Sequence, residues 1–278
     1  MRWTCPQAHS EMDVRLARFR RVLRAAQRTS GYQPVLASAG LATPEALALV
    51  DSVEGTLKRI PAIDLEEFRA CQAAFESPGG LRTSPQQFRS PLEYTPKMAI
   101  LMEGFEAAAG IKVMTDNWTK GLRQFGASAL AAPVDVLRTL AAVVERGREE
   151  IPAPRQYVVG FTGGEQGELA EEDRERFWRV FQVPVFEQRL GFDGRVIAYE
   201  CEAHNGLHIM PEHAAFEETT GSELLLTSLT DLRYPTLRVG TQRAGTIQHE
   251  CCDCGNAASR LMASRPMPAR QPLAAAVC

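Results

Sequence analysis

Soft metal ligands are concentrated in two separated segments of this 278-residue chain, and any fold it adopts must account for them. Glu200-Cys-Glu-Ala-His-Asn-Gly-Leu-His208 carries a thiol and imidazoles, and Cys251-Cys252-Asp253-Cys254-Gly255 is a tight thiol cluster. Thiolate and imidazole together are the donor set that suits zinc. The rest of the chain then reads as a scaffold that brings the two segments together. Seven cysteines are an odd count, and four of them lie between Cys201 and Cys254. That clustering favours a metal in a reducing compartment over a disulfide framework, and the expected location is the cytoplasm.

Six residues separate Cys201 from His208, and they include Asn205-Gly206, a natural turn. A strand ending near Cys201, a turn, and a return near His208 would aim both side chains at one point. Cys252 and Cys254 add a Cys-x-Cys-Gly turn, and the four residues make a tetrahedral Cys3His set of the closed, structural kind. Cys251 with Cys254 is the alternative Cys-x-x-Cys knuckle, and His204, His213 and His249 are spare ligand types. Buried free thiols with surface histidines are the plain alternative.

Forty-five per cent hydrophobic and 23 per cent charged residues suit a globular protein with a large core. A net charge of −3 points to neither a nucleic-acid nor a membrane binder, and no apolar run approaches the roughly 20 residues of a membrane helix. The segment Met1-Arg2-Trp3-Thr4-Cys5-Pro6 lacks the apolar core of a secretory signal.

From Asp13 to Gln27, Leu16, Phe19, Val22, Leu23 and Ala26 recur at helical spacing, with Arg15, Arg18, Arg21, Arg24 and Arg28 between them. The arginines read as a solvated face on a packed helix rather than a basic docking patch. Thr43 and Asp64 are N-cap residues, and Cys71 reads as a small buried hydrophobe. Glu76-Ser-Pro-Gly-Gly-Leu-Arg-Thr-Ser-Pro85 is rich in breakers. The pattern next predicts a helix over Met98–Ala109, a short strand over Ile111–Met114 and a helix over Asp135–Glu145. A strand at Gln156–Phe161, a turn at Thr162–Glu165, a helix at Glu171–Phe181 and strands at Val183–Phe186 and Val196–Cys201 make a β-α-β unit. Trp178 and Phe181 are expected in the core. The expected organisation is a helical segment over 1–77, a linker over 78–97, an α/β core with the metal site over 98–260, and a proline-rich disordered tail over 261–278.

Four blocks then carry a resemblance: Glu200-Cys201 with Gly206-Leu207-His208, Ser222-Glu-Leu-Leu-Leu-Thr-Ser-Leu-Thr230, Pro235-Thr-Leu-Arg238, and Cys252-Asp253-Cys254-Gly255. In order and spacing they resemble the phenylacetate–CoA ligase branch of the adenylate-forming enzymes. Upstream, Thr162-Gly163-Gly164-Glu165 resembles the turn beside that family's nucleotide pocket, and Leu57-Lys-Arg-Ile-Pro61 with Asp64-Leu65 resembles its N-terminal junction. The resemblance implies an α/β fold like part of the family's large domain with a β-rich, zinc-binding end. It implies zinc held by Cys201, His208, Cys252 and Cys254, and ligand contacts from Gly163, Gly164 and Glu165.

The catalytic motifs of that family are weakly matched. Ser77-Pro78-Gly79-Gly80 stands where a hydroxyl- and glycine-rich phosphate loop is expected. Glu187-Gln-Arg-Leu-Gly191 occupies the register of a Tyr-Gly-x-Ser/Thr-Glu motif, with Glu187 as a displaced carboxylate. Arg243 occupies the register of the ribose-binding aspartate, and a guanidinium has no acceptor for a hydroxyl proton. No counterpart to the mobile C-terminal domain and its catalytic lysine follows Gly255. The resulting expectation is a zinc-stabilised, truncated relative without ATP, Mg2+ or ligase activity. It would bind a protein partner, a small carboxylic acid or an acyl-CoA. The alternatives are a divergent acid–CoA ligase completed by another subunit, and a redox protein using Cys251, Cys252 and Cys254.

Overall fold

The computed structural model describes residues 6–80, 84–116, 118–147, 152–164 and 166–267. Helices α1 (Pro6–Ala26), α2 (Gln33–Ser38), α3 (Pro44–Ala48), α4 (Val53–Leu57), α5 (Leu65–Ala70) and α6 (Gln72–Phe75) come first. Then β1 (Met98–Ile100), β2 (Ile111–Val113), α7 (Trp118–Phe125), β3 (Ala129–Pro133), α8 (Val134–Glu145), β4 (Tyr157–Thr162) and α9 (Glu171–Phe181) follow. The remainder is β5 (Val185–Leu190), β6 (Val196–Glu200), β7 (Leu207–Ile209), β8 (Ala214–Glu218), β9 (Glu223–Ser228), β10 (Val239–Gln248) and β11 (Arg260–Pro266). This is the mixed α/β class expected.

The elements fall into two units, each discontinuous in sequence. An α/β unit comprises Ser84–His208 with Cys251–Ala257, and a terminal unit comprises Met1–Thr83, Ile209–Glu250 and Ala258–Cys278. The units cut across the linear division at 78 and 98, and β11 runs into the expected tail, of which residues 268–278 lie outside the described residues.

In the α/β unit the strand order is β2-β1-β3-β4-β5-β6. Strands β1 to β5 are parallel to their neighbours, and β6 returns antiparallel to β5. All six residues of β4 are buried, the continuous burial expected of a central parallel strand covered on both faces. Leu137 and Leu140 of α8 and Phe177 and Phe181 of α9 close one face over Leu130, Ala132 and Val158. Asp173 starts α9 firmly: its carboxylate accepts from Ala170 N (3.2 Å) and from Arg138 Nε (2.9 Å) and Nη2 (2.6 Å).

Two expectations fail here. Met98–Ala109 forms no helix, because Met98, Ala99 and Ile100 are all fully buried as β1 between β2 and β3. A helix would turn one of any three consecutive side chains away from the core, and Gly104 at φ +90° turns the chain after the strand. Trp178 is 59% exposed, because Phe177 and Phe181 hold the i, i+4 positions of the inner stripe of α9.

In the terminal unit β11-β10-β9-β8 form an antiparallel ribbon. Phe19, Val22, Leu23 and Ala26 of α1 are fully buried. Arg15 and Arg18 donate to the carbonyls of Pro211 (2.9 Å) and Glu212 (2.6 Å), so part of the arginine series is used within the unit. Thr43 Oγ1 accepts from Ala46 N (3.3 Å) and Asp64 Oδ1 from Glu66 N (2.8 Å), as the caps require. Cys71 is buried, as expected, but it is disulfide-bonded rather than a free thiol. Among the described residues no helix is long and apolar enough to cross a membrane.

Candidate metal centre

Within the α/β unit, β6 ends one residue before Cys201, and a turn with Gly206 at φ +81° brings β7 back with His208 at its centre. Cys252 and Cys254 lie on a short loop closed by two hydrogen bonds. Gly255 N–H donates to Cys252 O (2.8 Å), and Cys252 N–H donates to Asn256 O (3.1 Å). The ligand atoms of Cys201, His208, Cys252 and Cys254 all lie within 4.8 Å of one another. Cys201 Sγ is 3.7 Å from Cys252 Sγ, and Cys254 Sγ is 3.4 Å from His208 Nε2. Tetrahedral zinc, with Zn–S near 2.3 Å and Zn–N near 2.0–2.1 Å, sets neighbouring sulfurs about 3.8 Å apart and sulfur and nitrogen about 3.6 Å apart. The Cys201–Cys252 and Cys254–His208 pairs have those dimensions, within a set whose atoms all lie within 4.8 Å.

Cys201, His208 and Cys252 are buried and Cys254 is half-buried. Burial pushes the Cys201 thiol up to about 12; Cys254 and Cys252 push the same way, against a hydrogen bond from the Ala203 backbone. Three crowded thiols cannot all ionise cheaply unless a cation neutralises them, which is what a metal supplies. Cys251 is exposed, with Sγ 3.8 Å from Asn256 O, so Cys252 and not Cys251 joins the cluster. His204 and His249 bond elsewhere, to Glu200 (2.9 Å) and Ser259 (2.8 Å), and His213 is also outside it.

Behind the ligands, the Tyr199 ring lies 5.5 Å from the His208 ring. The Tyr199 hydroxyl accepts from Arg89 Nη2 (2.8 Å) and Asn256 Nδ2 (2.8 Å), tying the Cys252–Cys254 loop to β6. Four further polar residues on β4, α9, β5 and β6 form a network that sequence patterning did not reveal. Thr162 Oγ1 donates to Glu187 Oε1 (2.7 Å), and Arg174 bridges Glu187 (3.2 Å) and Glu200 (3.0 Å). Burial pushes the Glu187 carboxyl up, with Thr162 and the arginines opposing. The only sequence signal was the charge of Glu187 and Glu200 inside apolar strands.

The register fixes where the cluster sits. Because Gln188 pairs with Tyr199 and Arg189 with Ala198, β6 runs back toward the start of β5 and carries Cys201 to the amino end of the parallel strands. Gly163 and Gly164 follow β4 at the opposite, carboxyl end, where sheets of this order usually bind ligands. Their φ values are +74° and +57°. A Cβ on Gly163 would meet Leu190 O at 2.8 Å and Arg189 Cγ at 2.9 Å, and one on Gly164 would meet Gly191 O at 2.7 Å. The turn therefore needs glycine to press against the end of β5. Glu165 lies outside the described residues. Arg189 is only 8% exposed and pairs with Glu168 at 3.2 Å.

No family model matches the chain, and no curated protein matches it. Solved structures do. An open conformation of 2-hydroxyisobutyryl-CoA ligase in complex with 2-HIB-AMP and CoA matches at a TM-score of 0.63 and 15% identity, over 93% of this chain and 70% of that one. The same ligase in the postadenylation state with R3-HIB-AMP matches at a TM-score of 0.64 and 14% identity, over 93% of this chain and 68% of that one. At that identity the likeness concerns the fold, not the chemistry. The chain shares its fold with about two thirds of 2-hydroxyisobutyryl-CoA ligase.

Proposed function

We propose that the chain is a zinc-stabilised, divergent relative of acid–CoA ligases of the phenylacetate–CoA ligase type, without ligase activity of its own. It acts by binding a protein partner, a small carboxylic acid or an acyl-CoA. The observation that carries the metal reading is the convergence of Cys201, His208, Cys252 and Cys254 to within 4.8 Å. Their place at the amino end of the parallel strands suits a structural ion, because the ligand-binding end is opposite. Support for lost ligase chemistry comes from Arg189, packed against Gly163 and paired with Glu168, and from Arg243 in the register of a ribose-binding carboxylate.

One observation favours a second reading. The ligase with the same fold was solved with an acyl-adenylate and CoA, which counts against the expectation that ATP is not bound. In that reading the chain is a divergent acid-activating enzyme completed by another subunit.

Metal analysis of the purified protein, with Cys201→Ser and His208→Ala beside it, tests the first reading. About one zinc per chain, lost in both variants, is expected. Metal-free protein from reducing purification would sink it. Calorimetry with ATP and AMP separates the two readings: no heat of binding is expected, and micromolar AMP binding would make the second reading the better one.

A further inference from the structure

We propose that Glu200 is a positioning residue of the metal centre, holding the Cys201 turn in its ligating geometry through His204 and Arg174. The inference rests on the metal reading above and concerns a residue outside the four ligands. Glu200 is 5% exposed, ends β6 and immediately precedes Cys201. Its Oε2 accepts from Glu187 N–H (2.8 Å) and from Arg174 Nη1 (3.0 Å), which fixes the carboxylate to β5 and α9. Its Oε1 reaches forward to His204 Nδ1 (2.9 Å).

His204 closes the turn that Cys201 opens. Its backbone N–H donates to Cys201 O (3.0 Å), and its φ is +48°, a conformation that a residue with a side chain adopts at some cost. Two contacts hold it there. The imidazole stacks on Phe186 with centroids 4.6 Å apart and planes 12° apart, and Nδ1–H donates to Glu200. The Ala203 backbone, between these residues, hydrogen-bonds to the Cys201 thiol. The direction of Cys201 Sγ is therefore set by a turn whose strained residue is pinned by the carboxylate one residue before the ligand. Groups that orient metal ligands from behind commonly change affinity by about 10–100-fold when removed.

The test is zinc affinity by competition with a chromophoric chelator, together with the visible d–d spectrum of the cobalt-substituted protein. Wild type is compared with Glu200→Ala, Glu200→Gln, His204→Ala and His204→Asn. Glu200→Ala and His204→Ala are expected to weaken zinc by about 10–100-fold and to broaden or shift the cobalt bands. His204→Asn, which tolerates positive φ and keeps a donor, should recover part of both. A merely structural Glu200 would lower the melting temperature of the chelated protein and leave affinity and spectrum unchanged, and that result overturns the proposal. If Glu200→Ala does not fold, the half-exposed His204 variants decide the matter by the same criteria. Wild type that binds no zinc overturns the metal reading and this inference with it; wild type that binds zinc no better than the variants overturns this inference alone.

Discussion

Cys251→Ser and Cys252→Ser differ by one position and should differ completely in outcome. Cys252 Sγ lies 3.7 Å from Cys201 Sγ inside the cluster, whereas Cys251 is exposed and bonds toward Asn256 O. A ligand that binds only the folded state adds RT ln(1 + [L]/Kd), about 4.1 kcal/mol when free metal is 1,000 times Kd. For a chain of this size each kcal/mol moves Tm by roughly 2–4 °C, so the zinc-dependent rise should be roughly 8–16 °C. The assay is thermal unfolding by circular dichroism in excess chelator and then in a buffer that fixes free zinc. Wild type and Cys251→Ser are expected to show the full rise, and Cys252→Ser almost none. A Cys251→Ser protein that loses the rise while Cys252→Ser keeps it would refute the assignment. A wild type with no rise would refute the premise that the ion is part of the folded state.

The inner stripe of α9 makes a second contrast. Phe177→Ala empties a fully buried site and should cost about 3–5 kcal/mol in urea unfolding, whereas Trp178→Ala at a 59% exposed site should cost no more than about 1 kcal/mol; equal costs would mean the helix is rotated. Asp173 titrates below its ordinary value of 3.8, chiefly through its hydrogen bonds from Arg138, so its contribution is present above that pH and is lost as pH falls through the lower folded value. The stability gap between wild type and Asp173→Asn should accordingly be flat at neutral pH and shrink in acid; a gap that widens in acid would overturn the pairing.

The candidate cluster was legible because chemistry-bearing residues are rare and their types are specific. Cys201, His208, Cys252 and Cys254 need no knowledge of packing to be singled out, although only the fold shows that Cys252 turns inward and Cys251 outward. The apolar stripes of α8 and α9 and the capped starts of α3 and α5 were legible for a similar reason, because they follow local rules. Met98–Ile100 was not legible, because a short apolar run suits a helix or a buried strand equally, and its pairing with β2 and β3 is tertiary information. Trp178 was misplaced because spacing alone does not say which of Phe177, Trp178 and Phe181 faces inward. The Glu187–Arg174–Glu200 network joins β5, α9 and β6, so nothing local announces it.

The α/β unit takes in Cys251–Ala257 only after the chain has left it at His208 and spent residues 209–250 in the terminal unit. An ion shared by the two segments is thus a cross-link in the topological sense, closing a long excursion of the chain. Treated like a covalent bridge over a loop of that length, such a link removes roughly 4 kcal/mol of chain entropy from the unfolded ensemble. Its largest effect would then be on the disordered chain rather than on the folded contacts. A polypeptide ending at His208 keeps two of the four residues of the candidate cluster and nothing to close against, so under the proposed metal reading the boundary of the metal-holding unit is set by the loop at Cys251–Ala257 and not by the last strand before the excursion.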